Sequence, residues 1–142
     1  DRHAQAVLLS RMQNGILQTA PIWDDVSTLS KDEISVGVDI IYGGFPCQDI
    51  SSAGKGAGIG GERSGLWKEY ARLVGEVRPQ FILVENVSAL LGRGLDRVLG
   101  DLAEIGYDAE WRCVRASDVG FCHSRWRVFV VARPTDSGHT KP

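Results

Sequence analysis

Three short stretches of the sequence carry side chains whose types and spacing could do chemistry. The first is Gly43-Gly44-Phe45-Pro46-Cys47-Gln48. A thiol on a tight turn, flanked by proline and glycines, is held and exposed at once, and a nucleophile needs both properties. The same turn also accommodates Cys47 as a small buried hydrophobe. The second stretch is Glu85-Asn86, directly after the apolar run Phe81-Ile82-Leu83-Val84. A carboxylate at a strand end beside a cleft can transfer a proton or hydrogen-bond a substrate. It can equally cap the next helix or pair with an arginine. The third is His123-Ser124-Arg125-Trp126-Arg127. In an extended segment, alternation points Arg125 and Arg127 to one side. Paired guanidiniums suit phosphate or carboxylate recognition, although a solvated basic pair reads the same way.

These stretches need elements to position them. Ala4, Val7, Leu8 and Met12 recur at helical spacing, and Asn14-Gly15 stops that helix. Ile22, Trp23 and Val26 suggest a short strand that contains the acidic turn Asp24-Asp25. Val36-Gly37-Val38-Asp39-Ile40-Ile41-Tyr42 is a β-rich run ending in Gly43-Gly44. The glycine-rich segment over residues 51–65 reads as a loop that moves. A helix is predicted over residues 66–77, with Leu66, Tyr70, Leu73, Val74 and Val77 on one face, and Pro79 punctuates it. A fully apolar strand follows over residues 81–84, then a second amphipathic helix over 95–105, closed by Gly106. Two final strands are expected over 111–114 and 128–132, with only a loop between them, so they can form an antiparallel edge pair. Helices alternating with short apolar strands indicate a mainly parallel, doubly wound α/β sheet. In such sheets ligands sit beyond the carboxyl ends of the strands, where the Cys47 and Glu85 stretches fall.

Composition sets the outer limits. The chain has 142 residues, 43% hydrophobic and 24% charged, as expected of one globular domain with a core of its own. No run approaches the roughly 18 apolar residues of a membrane span. The opening DRHAQAVLLSRMQNG carries charge where an export signal needs apolar residues. Three cysteines (Cys47, Cys113 and Cys122) lack metal-ligand spacing and fit a reduced compartment with a functional thiol better than a disulfide framework. A formal charge of -2 gives no global nucleic-acid signature. From Arg115 onward, however, Arg115, Arg125, Arg127, Arg133 and Lys141 outnumber Asp118 and Asp136.

Taken in order, the stretches resemble a known family. Gly43-Gly-Phe-Pro-Cys-Gln-Asp-Ile-Ser51 resembles the Pro-Cys-Gln nucleophile loop of the DNA cytosine-5 methyltransferases. Glu85-Asn86-Val87 is similar to the family's Glu-Asn-Val motif. His123-x-Arg125-x-Arg127, preceded by Asp118-Val119-Gly120, is similar to its Gln-x-Arg-x-Arg motif. Arg63-Ser64-Gly65-Leu66 resembles the segment bearing a cofactor-contacting leucine, and Asp24-Asp25-Val26 the acidic turn that meets the cofactor's adenine. The resemblance implies a doubly wound, mostly parallel α/β sheet of the S-adenosylmethionine-dependent, Rossmann-like type. It implies that the sheet is incomplete at the N-terminus and has an antiparallel edge pair. Residues 1–133 are expected to form a partial catalytic domain, and residues 134–142 a linker toward a target-recognition region.

The resemblance also assigns roles. Cys47 would add to carbon 6 of a flipped cytosine, Glu85 would hydrogen-bond or protonate ring nitrogen 3, and carbon 5 would take the methyl of S-adenosyl-L-methionine. Arg125 would contact the target nucleotide and Arg127 would shape the pocket near Glu85. Pro46, Gln48, Ser51, Asn86, Val87 and His123 would bind substrate or order the nucleophile loop, Asn86 through backbone hydrogen bonds. Asp25, Val26, Phe45 and Leu66 would face the cofactor. The implied partner is double-stranded DNA, without metal or membrane, and the implied setting a monomer in bacterial or phage-infected cytoplasm. The sequence departs from the family's pattern at His123, where Gln is usual, and at Cys122, where Pro is common. The Phe-x-Gly-x-Gly cofactor loop and the closing Asn motif have no counterpart, so these 142 residues are expected to be inactive alone. Two alternatives stay open: methylation of cytosine in tRNA, and a non-catalytic relative that binds DNA or a partner.

Overall fold

The computed structural model describes residues 1–46 and 66–135. Helix α1 (Arg2–Gln13) is capped by Asp1, whose carboxylate accepts the His3 and Ala4 N–H groups at 2.7 and 3.3 Å. Gly15, at φ 70°, turns the chain away from it in a conformation that favours glycine. The expected strand over residues 22–26 does not form. In its place the Asp25 side chain accepts the Ser27 N–H and caps a single 3-10 turn, Val26–Thr28. An Asp-led turn of this kind satisfies its own backbone locally and leaves no ladder to pair.

Strand β1 (Ile40–Gly43) is shorter than the β-rich run that contains it. Its parallel partner β2 (Phe81–Val87) begins opposite Ile40, so residues 36–39 have nothing to continue against. Helix α2 (Leu66–Val77) has the predicted bounds. It ends at Arg78, which takes φ 57°, and Pro79 follows. Helix α3 (Leu95–Glu104) stops one residue before the expected end. Strands β3 (Tyr107–Arg115) and β4 (Trp126–Pro134) are both longer than their apolar cores suggest, because they pair with each other along all nine residues.

The sheet order is β1-β2-β4-β3, with β1 and β2 parallel and the other two pairings antiparallel. The expected antiparallel edge pair is therefore present, joined to a parallel pair in an open mixed sheet. Alternation along each strand sends Ile82, Val84, Val128, Val130 and Ala132 to one face, where α2 and α3 bury them. Trp67 and Val74 from α2, and Val98 and Leu102 from α3, complete that core. The other face carries Ile40, Tyr42, Phe81, Leu83 and Val131, all exposed in this chain. No described helix is long and apolar enough to cross a membrane.

Candidate active site

Glu85 and Asn86 do not lie past a strand end. They are inside β2, because β4 keeps pairing with it as far as Val87, opposite Arg127. Alternation then separates them: Asn86 points into the core at 3% exposure, and Glu85 points to the open face. Buried Asn86 is fully engaged. Its amide donates to the Phe45 carbonyl at 3.2 Å, and its oxygen accepts the Val87 N–H at 2.8 Å. Through this side chain β2 grips the turn that follows β1, across 41 residues of sequence.

Glu85 meets the same turn from the other side. A Cβ on Gly44 would sit 2.9 Å from the Glu85 carbonyl oxygen and 3.0 Å from Oε2, closer than side chains tolerate. Only glycine lets the turn backbone lie against this carboxylate. Arg127 Nε pairs with Glu85 Oε1 at 2.5 Å. The two sit diagonally across the β2–β4 ladder, since Glu85 is opposite Phe129 and Arg127 opposite Val87. One carboxylate oxygen is thus fixed by an arginine while the other faces the turn. Of the alternatives open for Glu85, pairing with an arginine is realised.

Arg125 lies just before β4, so strand alternation does not govern it, yet it still shares a space with Arg127. Both line a cavity of about 240 Å³ with His123, Arg115, Phe121 and Phe129. The His123 ring stacks on Phe121 at 5.9 Å, and its Nδ1 accepts the Arg125 N–H at 3.4 Å. Arg115 lies 4.9 Å above the Trp126 ring and pairs with Asp118 at 3.3 Å. The result is a basic, aromatic-edged hollow whose Arg127 also pairs with Glu85.

A second cavity, of about 280 Å³, lies between the end of β1 and α2. Val26, Phe45 and Leu66 line it, as does Pro46, together with Tyr70 and Leu73. Asp25 stands beside it as the turn cap. Its Oδ1 accepts from both the N–H and the hydroxyl of Ser27, and the hydroxyl bond chiefly holds the carboxyl below its usual range. Sequence reasoning missed Tyr70 as a lining group, although Leu66, Tyr70 and Leu73 share one helical face. The Tyr70 hydroxyl donates to the Ile41 and Leu83 carbonyls at 3.0 and 3.3 Å. Burial pushes that hydroxyl well above the usual tyrosine range, so it stays a donor. Tyr70 stacks on Trp67 at 5.5 Å, Trp67 meets Phe45 at 5.4 Å, and Trp67 Nε1 donates to Asp101 at 2.7 Å. Trp67 is the packing group that the sequence suggests.

Arg72 was also missed. Its guanidinium bonds Glu69 and Glu76 on its own helix, at 2.8 and 2.7 Å, and the Val26 and Leu29 carbonyls, at 3.1 and 2.8 Å. Glu76 in turn accepts the Lys31 N–H at 3.2 Å. The Arg72 hydrogen bond is the main reason the Glu76 carboxyl lies below its usual value. Because the folded value is lowered, Glu76 stabilises the fold above the ordinary carboxyl range, and that contribution disappears as pH falls through the folded value. Urea midpoints should therefore separate wild type from Glu76→Gln at neutral pH, with wild type more stable, and converge once the pH has fallen through the folded value.

Cys47, Gln48 and Ser51 lie outside the described residues, as does the Arg63 segment before Leu66. Among the described residues no group of three or more His, Cys, Asp or Glu is placed to hold a metal.

The family model for C-5 cytosine-specific DNA methylases matches residues 2–141. The chain belongs to that family. Among curated methylases, the Type II methyltransferase M.Sau3AI of Staphylococcus aureus is 34% identical over an alignment covering 99% of this chain and 36% of the relative. M.CviJI of Paramecium bursaria Chlorella virus IL3A is 35% identical over 80% of this chain and 31% of its own length. The chain thus spans about a third of the curated methylases it matches. A solved structure of Spodoptera frugiperda DNMT2 superposes with a TM-score of 0.69 at 21% identity, covering 93% of this chain and 41% of that one. At that identity the likeness speaks for the fold.

Proposed function

We propose that this chain is the catalytic segment of an enzyme that methylates carbon 5 of cytosine in double-stranded DNA, with S-adenosyl-L-methionine as methyl donor. The observation that carries this reading is the turn at Gly44-Phe45, gripped by Asn86 and pressed against a Glu85 carboxylate that Arg127 holds. The next chemical group along the chain after Pro46 is the Cys47 thiol.

The residues suit the chemistry. A cytosine in a duplex must be flipped out to be reached, and the open sheet face leaves Glu85 and Arg127 accessible. Cys47, as thiolate, adds to carbon 6, and Glu85 hydrogen-bonds ring nitrogen 3, so electron density builds at carbon 5. Once carbon 5 has taken the methyl group, loss of its proton and expulsion of Cys47 restore the aromatic ring. An ordinary thiol of pKa about 8.5 is only a few per cent ionised at neutral pH, so a positive setting helps. Arg125, which lines the hollow together with Arg127, supplies that charge and a grip for the nucleotide's phosphate. Pro46, Gln48, Ser51 and Val87 order the turn and meet the base, while buried Asn86 holds the turn through the Phe45 carbonyl.

The cavity between β1 and α2 fits the donor's adenine: its lining is largely apolar, with Val26, Phe45 and Leu66 around it and Asp25 at its margin. Bound there, S-adenosyl-L-methionine supplies an electrophilic methyl group. We assign the protein to bacterial or phage-infected cytoplasm, acting as a monomer. The relative from Staphylococcus aureus supports a bacterial source.

A full-length enzyme carrying this chain, given S-adenosyl-L-methionine labelled on its methyl, should place label on cytosine carbon 5 of duplex DNA. Label appearing only in tRNA would move the substrate to RNA. Label in neither would leave a binding role without catalysis.

A further inference from the structure

The cavity wall at Val26 has no strand or helix of its own to hold it. Residues 23–33 contain only two single turns, Val26–Thr28 and Lys31–Glu33. Local bonds shape them: Trp23 Nε1 donates to Thr28 Oγ1 at 2.9 Å, and Ser30 and Glu33 form a reciprocal cap. Such bonds set the segment's internal shape but not its position. The hydrogen bonds that join it to α2 run through Arg72 and Glu76. Arg72 Nη2 reaches two carbonyls, 46 and 43 residues away, while Nε and Nη1 are fixed by Glu69 and Glu76 one turn to either side. A planar fork braced by two carboxylates loses little freedom when it binds, which suits it to placing a loop.

We propose that Arg72 is the positioning residue for the Val26 wall of the cofactor cavity, with Glu69 and Glu76 as its braces. This rests on the cofactor reading of that cavity and adds what sets its width. The Arg72 side chain is 32% exposed and lies outside the core cluster, so the hydrophobic core does not depend on it. Arg72→Lys keeps the charge, but one ammonium cannot span four partners.

The test uses the full polypeptide with two readouts. The first is amide exchange at Thr28 and Leu29, whose N–H groups bond Asp25 and Val26 carbonyls within the turn. Arg72→Lys should speed exchange there about tenfold, while Val84 and Val130 in the core stay within about twofold. The second is the split between cofactor affinity and turnover. The Kd for S-adenosyl-L-methionine should rise by about 5- to 10-fold, with kcat at saturating cofactor nearly unchanged. Adding Glu76→Gln to Arg72→Lys should cost little more than Arg72→Lys alone, because the two act through one network. Exchange that rises equally at Val130, or not at all at Thr28 and Leu29, overturns the tether. Faster exchange with an unchanged Kd overturns its link to the cofactor. A wild type that fails to bind S-adenosyl-L-methionine overturns the cofactor reading, while the exchange readout still decides the tether.

Discussion

Glu85→Gln should slow methyl transfer by about 10²- to 10⁴-fold, the range that positioned proton-transferring groups contribute, while the protein unfolds at nearly the same urea concentration. The structure separates the two effects. Glu85 sits on the open face of β2 with 42% of its side chain exposed, and none of the core rests on it. Its pairing with Arg127 is a partly solvated ion pair, which typically contributes roughly 1 kcal/mol or less. Glutamine keeps the size and can still accept from Arg127, but it cannot supply a proton to ring nitrogen 3. Single-turnover rates on duplex DNA, read beside urea midpoints, check this. A loss of stability that tracks the loss of rate would make Glu85 a structural residue instead.

Gly44→Ala should have an effect of similar rank for a different reason. The added methyl would meet the Glu85 backbone oxygen at 2.9 Å, and a paired strand cannot yield as a flexible side chain can. The turn must then move away, against the hold of Asn86 on the Phe45 carbonyl. A displacement near 1 Å at a reacting centre costs on the order of 10²-fold in rate. The expected signature is a fall in kcat with a smaller rise in cofactor Kd, since Gly44, Phe45 and Pro46 also line the second cavity while Val26, Leu66, Tyr70 and Leu73 stay in place. Equal losses in both would mean that the whole turn had collapsed.

Much of this arrangement was legible in the sequence, and the rest was hidden for physical reasons. Helix α2 could be read to the residue because its apolar spacing and Pro79 are local signals. Locally, polar Glu85 and Asn86 look like the end of a strand at Val84. Six residues of β4, from Arg127 to Ala132 and far along the chain, decide otherwise. No strand forms over residues 22–26 because the turn chemistry of Asp25 and Ser27 overrides the apolar signal of Ile22 and Val26. Asn86 as the clamp on the turn, and Arg127 beside Glu85, were expected from the resemblance, and the coordinates bring both pairs together. Arg72 gave no such signal. Its long-range partners are backbone carbonyls more than 40 residues away, and carbonyls have no sequence signature. Gly44 is similar: that a glycine is needed there follows only from what stands opposite it.

The account's central claim is that Cys47 attacks the base from a turn held against Glu85. Duplex DNA carrying 5-fluorocytosine at the target tests it most directly. The fluorine cannot leave as the carbon-5 proton does, so the thiol adduct formed in the catalytic cycle cannot be released. A full-length enzyme carrying this chain, with S-adenosyl-L-methionine present, should form a denaturation-resistant protein–DNA complex. Peptide mapping should place the link at Cys47, and Cys47→Ser should abolish the complex. No complex with the wild type, or the same complex with Cys47→Ser, would contradict the claim.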